Sequence, residues 1–319
     1  MRPVGMLAAL LALAAASAAT AADFLDITAS FTTYVIVRSD GATSRSGTGG
    51  VQFTLQSTGG TTPLRGASYL AGFFVAVGDG GRVVRSSDGG LTWGPEDSQT
   101  TADLHDVIVH ATNYLIAVGS AGTTLRRVGT ATTWDSTISP GSATLRAAAS
   151  NGTILVAVGD GGTVLRSTDQ GLTWQRQILA GTPALRGVEA TDNIFVAVGL
   201  GGRIFRSTSS GLSWSELTSS TTADLFAVTT DLSARLVAVG AAGTVLRSGL
   251  NGAEGSWFQM SFPLAVALRG VHYDGSYFYT VGDSELVARS TDGTSWFQVG
   301  VEPTSWSRVK ALYGGAESR

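Results

Sequence analysis

The stretch from Leu145 to Gly181, LRAAASNGTILVAVGDGGTVLRSTDQGLTWQRQILAG, is the unit from which most of the chain is copied. Its V-A-V-G phrase returns with the glycine at Gly78, Gly119, Gly159, Gly199 and Gly240, and as T-V-G at Gly282, in steps of 41, 40, 40, 41 and 42 residues. A tryptophan follows each copy, at Trp93, Trp134, Trp174, Trp214, Trp257 and Trp296. Two independent markers sharing one period define a repeat protein.

Each unit reads as four short strands, most plainly at 185–190, 194–199, 203–207 and 212–218, with glycine-rich turns such as Gly159-Asp160-Gly161-Gly162 joining the second strand to the third. Four antiparallel strands in about forty residues, repeated, predict an all-β seven-bladed β-propeller of four-stranded blades. Six clear units occupy 64–305. Residues 23–60 have room for three strands and lack a first, whereas 306–315 resembles one, with Arg308-Val309 placed like Arg186-Gly187-Val188. Joining the two termini in one closing blade would hide sheet edges. Six blades is the alternative if they do not meet.

The 319 residues are 43% hydrophobic and 14% charged, which describes a globular chain with a large core. A formal charge of −3 excludes the basic footprint expected of a nucleic-acid binder. Arg2, the apolar run 6–16 and the small residues Ala19-Thr20-Ala21 predict a signal peptide over 1–21 and an exported propeller over 22–319, periplasmic or extracellular. The mature chain contains no apolar run long enough to span a membrane. Cysteine is absent, which removes disulfides, thiolate metal sites and a lipid-modified cysteine.

Between the third and fourth strands, Ser86 to Trp93 and Ser167 to Trp174 spell S-x-D-x-G-x-T-W, the Asp-box. Serine (Ser209) replaces the aspartate in the unit ending at Trp214, and the unit with Asp292 and Trp296 is one residue short. A carboxylate accepting N–H bonds across a tight turn, a glycine that permits the curvature and a tryptophan that packs are structural features, so Asp88, Asp169, Asp292, Trp93, Trp174, Trp214 and Trp296 are expected to hold the blades. The same reading applies to Arg85, Arg126, Arg166, Arg206, Arg247 and Arg289, which end the third strand of every unit. Their stems would lie on the neighbouring blade and their heads would bond near its Asp-box.

With these motifs the repeats resemble those of the photosystem II stability and assembly factor-like propellers, a family with Asp-box (BNR) repeats. The resemblance covers 64–306 and implies a seven-bladed, non-catalytic scaffold that holds a protein partner. Lipid-anchored members need a cysteine after the signal peptide, which this chain lacks.

The second residue of each first strand is the candidate site. Arg65, His105, Arg146, Arg186, Phe226 and Arg269, with Arg308 from the closing strand, should gather at one mouth of the central channel. There they would favour a protein partner through an acidic peptide or carboxylate, unless carboxylates such as Asp103, Asp106, Glu189 or Asp224 pair with them locally. The alternative class is a sialidase-like glycoside hydrolase or glycan-binding Asp-box propeller. Against the hydrolase stands the absence of an Arg-Ile-Pro signature before the first Asp-box and of obvious paired carboxylates. His105 and His110 lie five apart on one strand, hence on opposite faces, and His272 is far away, so no metal site is expected, nor any cofactor. The aromatic run Tyr273, Tyr277, Phe278, Tyr279 reads equally as a partner patch or as packing.

Overall fold

The computed structural model describes residues 21–137, 139–231 and 233–301. They form seven antiparallel sheets, at 24–56, 64–96, 104–136, 145–178, 185–217, 225–260 and 268–298, here blades 1 to 7. In each, strand order follows chain order from the channel outward. The innermost strand of blade 1, Phe24–Ser30, packs against the innermost strands of both blade 2 and blade 7, which closes the ring.

The seven blades agree with the sequence expectation; the composition of the closing blade does not. Residues 24–56 supply all four strands of blade 1, including the innermost, rather than three. The segment F-L-D-I-T-A-S does not show the Leu-Arg-Gly signature of the other first strands, because Leu25 and Asp26 stand where the repeat has arginine and glycine. Both chain ends do meet in this sheet, but the C-terminal contribution among the described residues is Gly300–Val301, paired parallel to Gln52 and Phe53 at the outer edge. The proposed closing strand 306–315 and most of the leader, 1–20, lie outside the described residues.

Apolar side chains do not form one central core. They form seven slabs, each shared by two adjacent blades: Val156, Val158 and Val164 of blade 4, for example, meet Leu185, Phe195 and Phe205 of blade 5. This explains why the second strand reads as the continuous run F-V-A-V-G and not as an alternation, since both of its faces are buried. The Asp-box tryptophans belong to the seams rather than to their own blades. Trp174 of blade 4 sits in the slab with Ile116 and Val118 of blade 3, and Trp257 of blade 6 in that with Val196 of blade 5. Trp134, Trp174, Trp257 and Trp296 are buried, whereas Trp93 and Trp214 are half-buried.

The turn carboxylates act as expected. Asp169 accepts the Thr173 N–H at 3.0 Å and its hydroxyl at 2.5 Å, and Asp292 does the same for Thr294 at 2.9 and 2.5 Å. The Thr92 hydroxyl and N–H hold the Asp88 carboxyl down at about 2. The turn glycine is required for two reasons: Gly171 has φ +81°, and a Cβ there would lie 2.8 Å from Ile116 of the preceding blade.

Third-strand arginines complete five of the seven seams, while Arg289 instead stacks over Tyr277 of its own blade. Arg126, Arg166, Arg206 and Arg247 donate Nε–H to the carbonyls of Gln170, Ser210, Asn251 and Asp292 at 2.7–3.0 Å, in each case within the outer turn of the next blade. Blade 1 supplies the same bond from Arg45 to Gly89 at 2.6 Å. Blade 3 has a degenerate box, and Arg85 differs accordingly. It stacks over Phe73, while buried Arg127 of blade 3 pairs with Glu96 of blade 2 at 2.7 Å and the Trp134 indole N–H bonds the same carboxylate at 3.0 Å.

The aromatic run is packing, with Tyr277 and Tyr279 at the closing seam and Tyr273 and Phe278 in the slab shared with blade 6. Tyr279 stacks on Tyr34 at 4.9 Å and donates to Gly49 O at 3.0 Å, and Tyr34 bonds Asp274. Arg38 of blade 1 reaches Glu285 of blade 7 at 2.9 Å.

Replacing Trp174 with alanine should therefore cost roughly 3–5 kcal/mol, the range for emptying a large core position. Asp169→Ala should cost roughly 1 kcal/mol, because its turn is solvated and water can replace the lost acceptor. Denaturant titration of the two variants checks the order; a larger loss for Asp169→Ala would contradict a seam-based stability.

Candidate functional site

Pairing between the first two strands slips by one residue at the same place in every blade. In blade 2 Leu64 pairs with Gly78 and Gly66 with Val77, so Arg65 is bulged out of register. The slip recurs at Leu25, His105, Arg146, Arg186, Phe226 and Arg269. A bulge re-aims its side chain, and here it turns all seven toward one end of the channel, where they line a cavity of about 220 Å³. The structure thus brings together six of the positions read from sequence. Leu25 fills the place assigned to Arg308, which lies outside the described residues.

Of the two readings left open, a free cationic ring and local pairing, the structure shows pairing: every ring arginine among the described residues has a carboxylate. Arg65 makes a two-pronged pair with Asp79, its Nη2 at 2.8 Å, and Arg269 does so with Asp283 at 2.7 and 3.1 Å. Arg146 bonds Asp160 at 2.9 Å, and Arg186 bonds the other oxygen of the same Asp160. The aspartates come from the turn between strands two and three, which antiparallel order returns to this rim. None is among the four carboxylates named from sequence. Asp103 and Asp224 instead accept the turn N–H groups of Gly80 and Gly201 in the preceding blades at 2.8 Å, although Asp103 also acts on Arg65 through its charge.

The missed signal was a spacing of fourteen or fifteen residues between ring and turn. Arg65 matches Asp79, His105 matches Ser120 at 3.1 Å, Arg146 matches Asp160 and Arg269 matches Asp283. Apolar Phe226 has apolar Ala241. Arg186 breaks the rule: Leu200 stands where its carboxylate should be, so it borrows Asp160 from blade 4. Four arginines meet three aspartates, and the excess charge lies between Arg146 and Arg186. Arg146 Nε is buried without a hydrogen-bond partner. His105, 3.4 Å from Arg146, is lowered to about 4 by burial and then by the charges of Arg146 and Arg65, so it is neutral at pH 7.

Below the mouth the channel is acidic. Asp26 of blade 1 and Asp106 of blade 3 line it, and each accepts an N–H from the next blade's first strand, Ala67 at 3.0 Å and Ala148 at 2.9 Å. Glu189 of blade 5 accepts Ala190 N–H at 2.8 Å. Burial raises Asp26 to about 7, with the Asp106 charge adding, Asp106 to about 6 and Glu189 to about 7. Asp26 and Asp106 stand where Gly66, Ala147, Gly187, Ala227 and Gly270 occupy the other blades, which was a legible break in the repeat. His110 bonds Ser150 of the next blade at 2.7 Å, away from the mouth, and half-buried His272 is lowered to about 4 by desolvation. No group of three His, Asp or Glu side chains among the described residues is disposed to hold a metal, and no helix among them is long and apolar enough to cross a membrane.

This architecture is that of a seven-bladed β-propeller whose bulge residues furnish one mouth. Among solved structures it is similar to YCF48 bound to a D1 peptide, with a TM-score of 0.71 and 15% identity over 86% of this chain and 93% of that one. YCF48 from Cyanidioschyzon merolae follows, with a TM-score of 0.67 and 14% identity over 84% and 95%. The computationally designed Ika8 protein gives 0.62 and 12% over 85% and 96%, so the likeness is one of fold. No family model matches the sequence, and no curated protein matches it significantly.

The channel carboxylates set a pH dependence. Their pKa values are raised in the folded state, so the stability they contribute is fully present near pH 4, where the unfolded chain also protonates, and is lost as pH rises through about 6 to 7. Asp106→Asn should flatten that fall by on the order of 1 kcal/mol, allowing for water in the channel. Melting curves from pH 4 to 8 test this; equal slopes for variant and parent would refute it.

Proposed function

We propose that the chain is an exported, non-catalytic scaffold that holds an acidic peptide segment of a protein partner at the channel mouth. The observation that carries this reading is the pair Arg146 and Arg186 sharing the single carboxylate of Asp160. The other two arginines are neutralised one to one, which leaves a local cationic position where a peptide carboxylate gains charge-assisted bonds. Phe226, with Arg269 stacked on it at 5.1 Å, offers an apolar neighbour for a side chain. The similar propeller with a D1 peptide bound supports a peptide as the class of ligand. Export rests on the leader read over 1–21.

Glycoside hydrolysis needs an acid and a second carboxylate open to substrate. Asp26 and Asp106, the two carboxylates that line the channel cavity, are each committed to backbone N–H groups, which favours the scaffold reading.

Fluorescence anisotropy with a labelled glutamate-rich decapeptide tests the site. Binding should weaken with added salt, and Arg146→Gln with Arg186→Gln should lower affinity by roughly 1–3 kcal/mol, the range for charged hydrogen bonds, with melting unchanged. Arg166→Gln with Arg206→Gln, at the outer seams, should lower the melting temperature and spare affinity. Equal binding by the mouth variant and the parent would remove the mouth as the site.

A further inference from the structure

On the opposite face, where the Asp-box turns lie, blades 4 and 5 are separated by a polar groove of about 750 Å³, within the size range of small-molecule sites. Its walls are cross-linked through backbone groups. The Asn151 amide donates to Asp192 O at 2.7 Å, Ser210 N–H to Asn193 O at 3.0 Å, and Arg166 Nε–H to Ser210 O at 2.7 Å. These bonds hold the frame and leave functional groups over. The Asp192 carboxylate, the terminal guanidinium nitrogens of Arg166 and the Asn193 amide nitrogen have no protein hydrogen-bond partner among the described residues.

The corresponding carboxylates of blades 6 and 7 are consumed: Asp231 is tied to Arg235 and to the Ser233 N–H, and Asp274 to Tyr34 and the Ser276 N–H. Blade 5 is also the unit in which Ser209 replaces the Asp-box aspartate, so a neutral hydroxyl stands beside the groove where Asp88, Asp169 and Asp292 stand in other blades. One carboxylate and one guanidinium then leave the groove without net charge. Exposed Leu212 and half-buried Ile154 add apolar edges.

We propose that this groove binds a neutral saccharide. A carboxylate accepts from two adjacent hydroxyls, a guanidinium and an amide donate to ring and hydroxyl oxygens, and the Leu212 edge covers the C–H face of a pyranose. An anion would meet Asp192 and a cation Arg166, so a ligand rich in both donors and acceptors but without charge fits best. The groove has no aromatic platform, which sets the expected affinity in the millimolar range, about −4 kcal/mol at 1 mM. This site is independent of the channel mouth and does not rest on the peptide reading.

The test is an amide chemical-shift titration of the isotope-labelled protein with methyl α-glucopyranoside, methyl β-galactopyranoside and N-acetylglucosamine, each to about 50 mM. N-acetylneuraminate and glucosamine serve as charged comparisons. Saturable shifts at Asp192, Asn193, Ser210 and Leu212 with at least one neutral sugar are expected. Asp192→Asn and Asn193→Ala should each weaken binding about five-fold or more without changing the melting temperature, and Arg65→Gln at the mouth should leave the sugar affinity as it is. Absence of saturable shifts, shifts confined to other regions, full binding by both groove variants, or stronger binding of a charged sugar would each overturn the proposal.

Discussion

Every blade of this protein is stable only against its neighbours. A four-stranded sheet buried on both faces has no core of its own, so the apolar side chains divide into seven slabs between blades, and each slab draws on two copies of the repeat. The features that recur in the sequence follow from that constraint. The Asp-box tryptophan enters the slab with the preceding blade, the box glycine makes room for that blade, and an arginine crosses from it to a carbonyl of the box turn. The Asp-box is a docking device between blades as much as a turn.

The same logic explains the closing seam, where no repeat precedes blade 1. Tyr34, Tyr279 and Asp274 and the Arg38–Glu285 pair take over there, and the two-residue strand Gly300–Val301 covers the outer edge. Closure by side chains leaves the inner strand of blade 1 to the N-terminal segment. That placement puts Leu25, not an arginine, in the ring and Asp26 in the channel below it.

Charge at the mouth is arranged by two residues of one blade that fold returns to one rim. The first-strand bulge sends a side chain outward, and the turn fourteen or fifteen residues later supplies its partner, arginine with aspartate or histidine with serine. A ring built in this way is nearly self-neutral. The one mismatch, Arg186 opposite Leu200, concentrates the excess positive charge in one sector.

The sequence by itself determined the blade and six of its seven copies, because a forty-residue period and recurring turn chemistry report local structure that each copy repeats. It also determined that Arg65, His105, Arg146, Arg186 and Arg269 share one position in every blade and hence one mouth. Only the tertiary structure decided which carboxylate each arginine meets, since Arg186 reaches Asp160 across a seam and Asp103 turns to Gly80 of the preceding blade. It alone decided that the tryptophans belong to seams and that blade 1 draws its inner strand from the N-terminal segment. The physical reason is the same in each case. Periodicity encodes what a residue does within its own repeat, whereas ion pairing, burial and closure depend on the distance to the next one.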